Sequence, residues 1–416
     1  MRIDNLSSRL KEPLPAEACE IILFASHLAQ EKQQRLYLAG GAVRDILMEQ
    51  PFSDIDLALE GDAVSLAKTL AQTSGSKVEL HTAFNTAKLI YPSFQIDIAG
   101  TRSESYPYAG ALPNVKPADI FVDLSRRDFS INAMAVSLNK VDYGDLIDQH
   151  DGQTDLKRKL VRTLHPRSFQ DDPTRMWRAV RYEQRLSFQI EPDTLSYIQR
   201  DWAALRNISH ERQWYEMECA LNESLPEKVL FRAEDLNLLD ALHPPLVVSK
   251  SLSTWYAQAR QQSLPKKPSL ELYLALFLYP FGKAACQEFV KNLKLNRSLS
   301  KTILDNARIK GSIRHLSNHS QLKSSLYHTL SKYDPTAIKA NIIATSSKTA
   351  RDNLLLFFDC LRYVKPILSG QDLLTMGFEP GPTIAKTINQ LLVARLDGKI
   401  STREEEITLA KQVGRL

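Results

Sequence analysis

Residues 36–61 read LYLAGGAVRDILMEQPFSDIDLALEG, and their spacing frames the rest of the chain. The apolar LYLA run predicts a strand that closes at Gly40-Gly41, and AVRDILMEQ predicts a helix that opens there. Free backbone N–H groups at that opening can approach a phosphate with no Cβ in the way. Arg44 sits in the first helical turn, within reach of the same anion. DIDLALEG alternates as a second strand. Asp54 and Asp56 flank Ile55 there, so their carboxylates face the same way at a Cα separation of roughly 6–7 Å. Two like charges held that close favour protonation of one of them unless a cation intervenes. Mg²⁺ takes carboxylate oxygens together with substrate phosphates, and a pair of such ions can activate a hydroxyl and stabilise a leaving pyrophosphate. Alone, D-x-D also suits an exposed strand and Gly-Gly a plain tight turn. The glycines do not form G-x-G-x-x-G, which disfavours a dinucleotide fold.

Working outward, residues 1–32 read as an amphipathic helical lead-in. Residues 62–75 form a helix capped by Asp62 and Gly75, and AKLIYPS with FQIDIAGT (87–101) forms a hairpin. The Pro/Gly/Ser-rich stretch 102–119 is expected to be a loop, followed by helix into strand over DLSRRDFSINAMAVSL. From Asp171 onward helical periodicity dominates and strand signals nearly vanish. The expected fold class is α+β: a mixed-sheet head with helices, then an elongated all-α portion. Four segments are expected: a head at 1–165, a helical neck at 166–240, a basic helical body at 241–330 and a helical tail at 331–416.

Composition narrows the class. The 416 residues are 43% hydrophobic and 24% charged, ordinary for a globular chain. Cys19, Cys219, Cys286 and Cys360 are far apart, with no CxxC or Cys/His cluster, which suggests neither zinc nor a disulfide framework. A reducing cytoplasm is the expected location. The N-terminus lacks the apolar core of a signal peptide. The run LELYLALFLYPF from Leu270 is short of the ~20 residues needed to span a bilayer and reads as a buried helix, so no membrane partner is expected. Residues 251–330 hold twelve Lys/Arg against three acids, an excess of nine where the whole chain has only +5. Such placement suits a polyanion or a set of solvated helix faces.

Two further motifs carry chemistry. RRDFSINAMA begins at Arg126. A guanidinium at Arg127 suits phosphate and a carboxylate at Asp128 can accept from a hydroxyl, although the triplet also suits a salt-bridged helix face. In FQDDPTRMWRAVRYEQRLSF, Asp172 is placed to N-cap a helix with Pro173 in its first turn. Arg175, Arg178 and Arg181 follow on one drifting face, which by itself suits a capped basic helix.

Gly-Gly, twelve residues and then D-I-D resembles the signature of the polymerase-β-like nucleotidyltransferase superfamily. Together with RRDFSINA and DDPTRMWRAVRY, the chain closely resembles the class II tRNA nucleotidyltransferases and their bacterial poly(A) polymerase relatives. The resemblance runs strongly over 36–186, weakens through the helical body, and returns at LSGQDLLTMGFEPGPTIAK. It implies that Asp54 and Asp56 are catalytic and bind two Mg²⁺ ions, and that Asp97 in FQIDIAG is a candidate third carboxylate. Gly41, Arg44, Arg127 and Asp128 would hold the triphosphate and ribose. Asp172 and Arg175, in the position of the motif ED-P-x-R-x-x-R-A-x-R-F, would read the base. Asp172 would accept from the amine that cytosine and adenine share, and G and U would be rejected. Arg178 and Arg181 would hold phosphates or support the pocket. The hinge segment DQHDGQTDL (148–156) departs from the family's DP-x-GG-x-x-DL, with Gln149 for Pro and Asp151 for the first Gly.

The function this implies is template-independent addition of CCA to the tRNA 3′ end from CTP and ATP. The tRNA acceptor arm would be gripped by the basic body and tail through its phosphates. Partial CC-only or A-only addition and poly(A) synthesis share all these motifs. A catalytically silent RNA-binding protein is the more distant alternative. The sequence leaves the oligomeric state open.

Overall fold

In the computed structural model, residues 4–10, 14–52, 54–108, 110–111, 113–242, 246–318 and 321–414 are described. Positions 1–3 and 11–13 of the expected lead-in, and 109 and 112 of the expected loop, lie outside them. The chain divides into two compact units, Met1–Leu246 and Val247–Leu416.

The first unit begins with α1 (Ala16–Glu31), β1 (Arg35–Ala39), α2 (Gly41–Leu47), β2 (Asp54–Glu60) and α3 (Ala63–Ser74). There follow β3 (Lys77–His81), β4 (Thr86–Ile90), β5 (Gln95–Gly100), β6 (Arg102–Ser105), β7 (Asn114–Pro117), α4 (Ile120–Ser125), β8 (Ala135–Ser137) and β9 (Leu146–Ile147). Seven strands form one mixed sheet in the order β3-β4-β5-β2-β1-β8-β9. β2 is antiparallel to β1 and parallel to β5.

Alternation splits the sheet into two faces. Leu36, Leu38, Ile55, Leu57, Leu59, Ile96 and Ile98 enter the main core with α1 and α3, while Tyr37, Ala39 and Ala58 pack with Ile120, Leu124 and Ala135 on the other face. Burying each such Leu or Ile is worth about 1.5–3 kcal/mol. Asp54 and Asp56 share the face of Ala58, so the buried register of Ile55 and Leu57 fixes where the carboxylates point.

The expected helix at 62–75 forms, with Asp62 accepting from Ser65 N at 2.9 Å and Gly75 left-handed at φ +69°. The expected hairpin is β4–β5. Three readings need correction. Among its described residues the lead-in is helical from Ala16, and Asn5 instead bridges to Asp145. β3 is a strand the pattern did not disclose. The stretch 102–119 contains the antiparallel ribbon β6–β7, because its backbone groups pair with each other despite the turn-rich composition.

The unit continues through α5 (Gly152–Arg158), β10 (Leu160–Val161), α6 (Ser168–Asp171), α7 (Arg175–Leu186), β11 (Gln189–Ile190), α8 (Pro192–Asp201), α9 (His210–Leu221) and α10 (Pro226–Asp235). β10 and β11 pair in parallel. In the hinge segment Asp151 lies at φ +56°, a conformation glycine adopts freely and Asp tolerates. A Cβ on Gly152 would meet the Ser130 carbonyl at 2.5 Å, so that glycine is required by space.

The second unit is helical among its described residues. It runs through α11 (Leu252–Ser263), α12 (Leu270–Phe277), α13 (Lys283–Asn292), α14 (Arg297–Gly311), α15 (Ile313–Leu316) and α16 (Lys323–Leu330). It ends with α17 (Pro335–Ala344), α18 (Lys348–Asp359), α19 (Gly370–Thr375), α20 (Pro382–Leu396) and α21 (Arg403–Val413). The apolar run at Leu270 is α12, buried from Leu272 to Phe277. Pro382 opens α20 as expected. Among the described residues no helix is long and apolar enough to cross a membrane.

Candidate active site

β1 delivers the chain to Gly40, whose φ of +72° turns it into α2. A Cβ on Gly40 would lie 2.7 Å from Arg127 Nη1 and 3.6 Å from Asp56 Oδ2, so the glycine lets the backbone approach both groups. Opposite this turn, Asp56 and Asp97 are register partners on the parallel strands β2 and β5, and Asp54 pairs with Gln95. Gln95 Nε2 donates to Asp54 Oδ1 at 2.5 Å, and Lys88 lies 3.2 Å from Asp97 Oδ2. The Asp56 carboxyl is pushed up to about 6, chiefly by burial; Arg127 pulls it down, and repulsion from Asp97 and Asp54 raises it further.

A cavity of about 1000 Å³ opens over this face. Gly41, Arg44, Asp54, Asp56, Asp97, Arg127, Asp128, Asp172, Arg175 and Arg178 all line it. Of the residues singled out in the sequence, Arg181 alone is not among the lining. It pairs with Glu216 at 3.3 Å and Glu223 at 3.1 Å, which ties α7 to α9 and the residues just after it.

Arg127 Nη2 pairs with Asp123 at 3.0 Å, while its Nε is buried with no partner among the described residues. A buried guanidinium nitrogen without an acceptor is costly, and an anion in the cavity would satisfy it. Asp123 is held low: burial raises it, but Arg127 and Arg126 together more than offset that. Asp128 accepts from Phe129 N (2.8 Å), Asn132 Nδ2 (3.1 Å) and Arg178 Nε (2.7 Å), and it too is held below the usual carboxylate range. Burial opposes this and Arg178 and Asn132 outweigh it.

Asp172 does not cap a helix beginning at Pro173, because α7 starts at Arg175. Asp172 Oδ1 instead accepts from Thr174 N at 3.0 Å, an Asx turn, and from Thr174 Oγ1 at 2.7 Å. Arg212 from α9 donates to the same oxygen at 2.6 Å. Oδ2 takes part in none of these bonds. Arg175 is buried and donates to Ser168 Oγ at 2.8 Å and to the Arg126 carbonyl at 2.6 Å.

Sequence reasoning missed Arg212, Tyr182, Asn132 and Arg185, which also line the cavity. Arg212 carries no local signal, since its partner Asp172 is forty residues away. Tyr182 was legible only as the residue closing the arginine-rich helix motif.

A divalent cation suits this donor set. Asp54 and Asp56 share one face, and Asp97 stands beside Asp56 on the neighbouring strand. Among the described residues no three His, Cys, Asp or Glu groups gather as a metal cluster, so substrate phosphates and water would complete the coordination, as is usual for Mg²⁺.

A Gly-Gly turn facing two strand aspartates across an arginine-lined cavity is the architecture of a nucleotidyltransferase head. Comparisons with known proteins agree. The poly(A) polymerase head domain matches residues 36–162, and the probable RNA and SrmB-binding site of polymerase A matches 187–248. An A-adding tRNA nucleotidyltransferase of Halalkalibacterium halodurans is 30% identical over 418 residues, covering 98% of this chain and 96% of that protein. One of Geobacter sulfurreducens is 31% identical over 420 residues, covering 95% of this chain but 47% of the relative's length. A solved CCA-adding enzyme without ligand superposes with a TM-score of 0.80 at 27% identity, covering 100% of both chains. Other similar structures are complexes with ATP (TM-score 0.78, 26% identity, 99% of both chains) and, for the Thermotoga maritima CCA-adding enzyme, with tRNA (0.74, 26%, 99% of both). This chain belongs to the tRNA nucleotidyltransferase family, whose members generally use divalent metal ions.

Proposed function

We propose that the protein adds nucleotides to the 3′ end of tRNA without a nucleic-acid template, building CCA from CTP and ATP. The observation that carries this reading is the single cavity that collects Asp54, Asp56, Gly41 and Arg127 on one side and Asp172 with Arg175 on the other. In this reading the left-handed turn at Gly40 lets backbone N–H groups meet the triphosphate, and Arg127 turns its unpartnered Nε to it. Asp172 Oδ2 accepts from the exocyclic amine of C or A, and Arg175 exchanges one of its two protein bonds for a ring or carbonyl acceptor. G and U leave that pair unmatched and are excluded. A ribose hydroxyl reaching Asp128 displaces one of its present donors. Asp54 and Asp56 would hold two Mg²⁺ ions, with Asp97 as a third ligand once released from Lys88, and ions held there would supply Lewis-acid activation of the primer hydroxyl and charge stabilisation of the departing pyrophosphate.

The four expected segments fit this division of labour: a head at 1–165, a neck at 166–240 that reads the base, and a body at 241–330 and tail at 331–416 that hold tRNA phosphates. The substrates place the reaction in the cytoplasm.

A narrower reading, addition of the terminal A alone, is favoured by one observation: two relatives that match nearly this whole chain at 30% identity or more are A-adding enzymes. The deciding experiment offers tRNAs ending before CCA, after C and after CC, with CTP and ATP separately and together, and reads product lengths. Full addition to the shortest primer supports the broader reading. Extension only of the CC-ended tRNA by ATP supports the narrower one. No incorporation on any of them contradicts both and leaves a silent RNA-binding protein.

A further inference from the structure

Tyr182 stands where the helix motif described above ends in Phe, and it touches three guanidinium groups at once. Arg44, Arg178 and Arg185 lie 5.3, 5.6 and 5.7 Å from its ring centroid. All four residues line the nucleotide cavity. Phe129 meets the ring edge-on at 5.8 Å and fixes its plane. Each arginine is paired with an acid: Arg44 with Asp45, Arg178 with Asp128, and Arg185 with Glu223, which it shares with Arg181 while Arg181 also pairs with Glu216. The cluster is therefore charge-balanced, and the ring gathers the cations without having to neutralise them.

Hydrogen bonds run from the Tyr182 hydroxyl back to its own ring. Arg178 Nη2 donates to that hydroxyl at 3.3 Å, and Arg178 Nε donates to Asp128 Oδ2 at 2.7 Å. Asn132 Nδ2 donates to Asp128 Oδ1 at 3.1 Å, and Arg44 Nη1 donates to Asn132 Oδ1 at 2.7 Å. Arg44 then lies against the Tyr182 ring. This circuit ties α2, which follows the glycine turn, to the Asp128–Asn132 segment and to α7, the helix opened by Arg175.

We infer that Tyr182 is a positioning residue for the incoming nucleotide. It closes a circuit that holds the phosphate side and the base-reading side of the cavity in fixed relation, so that nucleotide binding need not order them. Phenylalanine supplies the face but not the hydroxyl link to Arg178. The inference rests on the nucleotide-binding reading above.

The test uses the full-length protein with ATP and Mg²⁺ in the absence of tRNA, read by calorimetry, with tRNA affinity and thermal melting measured in parallel. Tyr182→Met keeps apolar volume and removes both face and hydroxyl, and it is expected to weaken ATP about tenfold. Tyr182→Phe retains the face and is expected to lose about threefold or less. Affinity for tRNA stays at the wild-type value in both. The order wild type, Phe, Met for ATP with constant tRNA affinity supports the inference. ATP affinity unchanged in Tyr182→Met overturns it, as does a parallel fall in ATP affinity, tRNA affinity and melting temperature, which is the mark of a purely structural role. Wild-type protein that binds no ATP removes the proposed function itself, and this inference with it.

Discussion

Arg212 donates to Asp172 Oδ1 at 2.6 Å while its other terminal nitrogen donates to the Gly110 carbonyl at 3.0 Å. One guanidinium on α9 thus joins the proposed base reader to the stretch between β6 and β7. The Asp172 side chain is about a quarter exposed, so without this partner only its bonds from Thr174 would hold the carboxylate against solvent.

Arg212→Leu is therefore expected to lower discrimination between ATP and GTP by about 10–100-fold while leaving tRNA affinity unchanged. Arg175→Ala should blur selection among all four nucleotides. Competition assays with mixed NTPs and product sequencing check both. Unchanged selectivity in Arg175→Ala would mean that the base is read elsewhere.

Gly40→Ala places a methyl group 2.7 Å from Arg127 Nη1 at a backbone φ of +72°. A side chain at this positive φ with ψ −131° costs of order 1–3 kcal/mol, and the arginine must also move. The expected result is a modest drop in melting temperature with a rise of about tenfold or more in KM for the nucleotide. Steady-state kinetics on a fixed primer measure it.

Acid should act on the first unit through Asp128. Its folded carboxyl titrates below its unfolded value, so the stabilisation is fully present above the unfolded pKa of about 3.9 and is lost as pH falls through the folded value. Asp128→Asn strands Arg178 and should cost about 1–3 kcal/mol near neutrality. The gap in stability between wild type and Asp128→Asn is expected to shrink as pH drops below about 4. Urea unfolding across pH 3–7 reads that gap, and a gap independent of pH would contradict the assignment.

Much of the head was legible because its signals are local. Gly40 at a strand end, the D-x-D alternation around buried Ile55, and the Asp62 and Gly75 caps each declare themselves within a few residues. β3 escaped because its residues alternate only between exposed and half-buried, as befits an edge strand. The β6–β7 ribbon escaped because backbone pairing can proceed in a segment whose side chains favour turns. The start of α7 shifted to Arg175 because Asp172 bonds two residues ahead rather than three. Arg212 takes its meaning from Asp172, forty residues away, and Asn132 joins nearby Asp128 to distant Arg44, a link that no periodicity encodes.

The most direct test of the central claim is Asp54→Ala assayed with Mg²⁺, labelled ATP and a CC-ended tRNA. The account predicts loss of AMP incorporation by at least about 1000-fold, since Asp56 and Asp97 lie at other register positions and neither replaces the Asp54 carboxylate, with tRNA affinity within about threefold of wild type. Incorporation at the wild-type rate would contradict it, and the chemistry would then have to lie away from the aspartate pair.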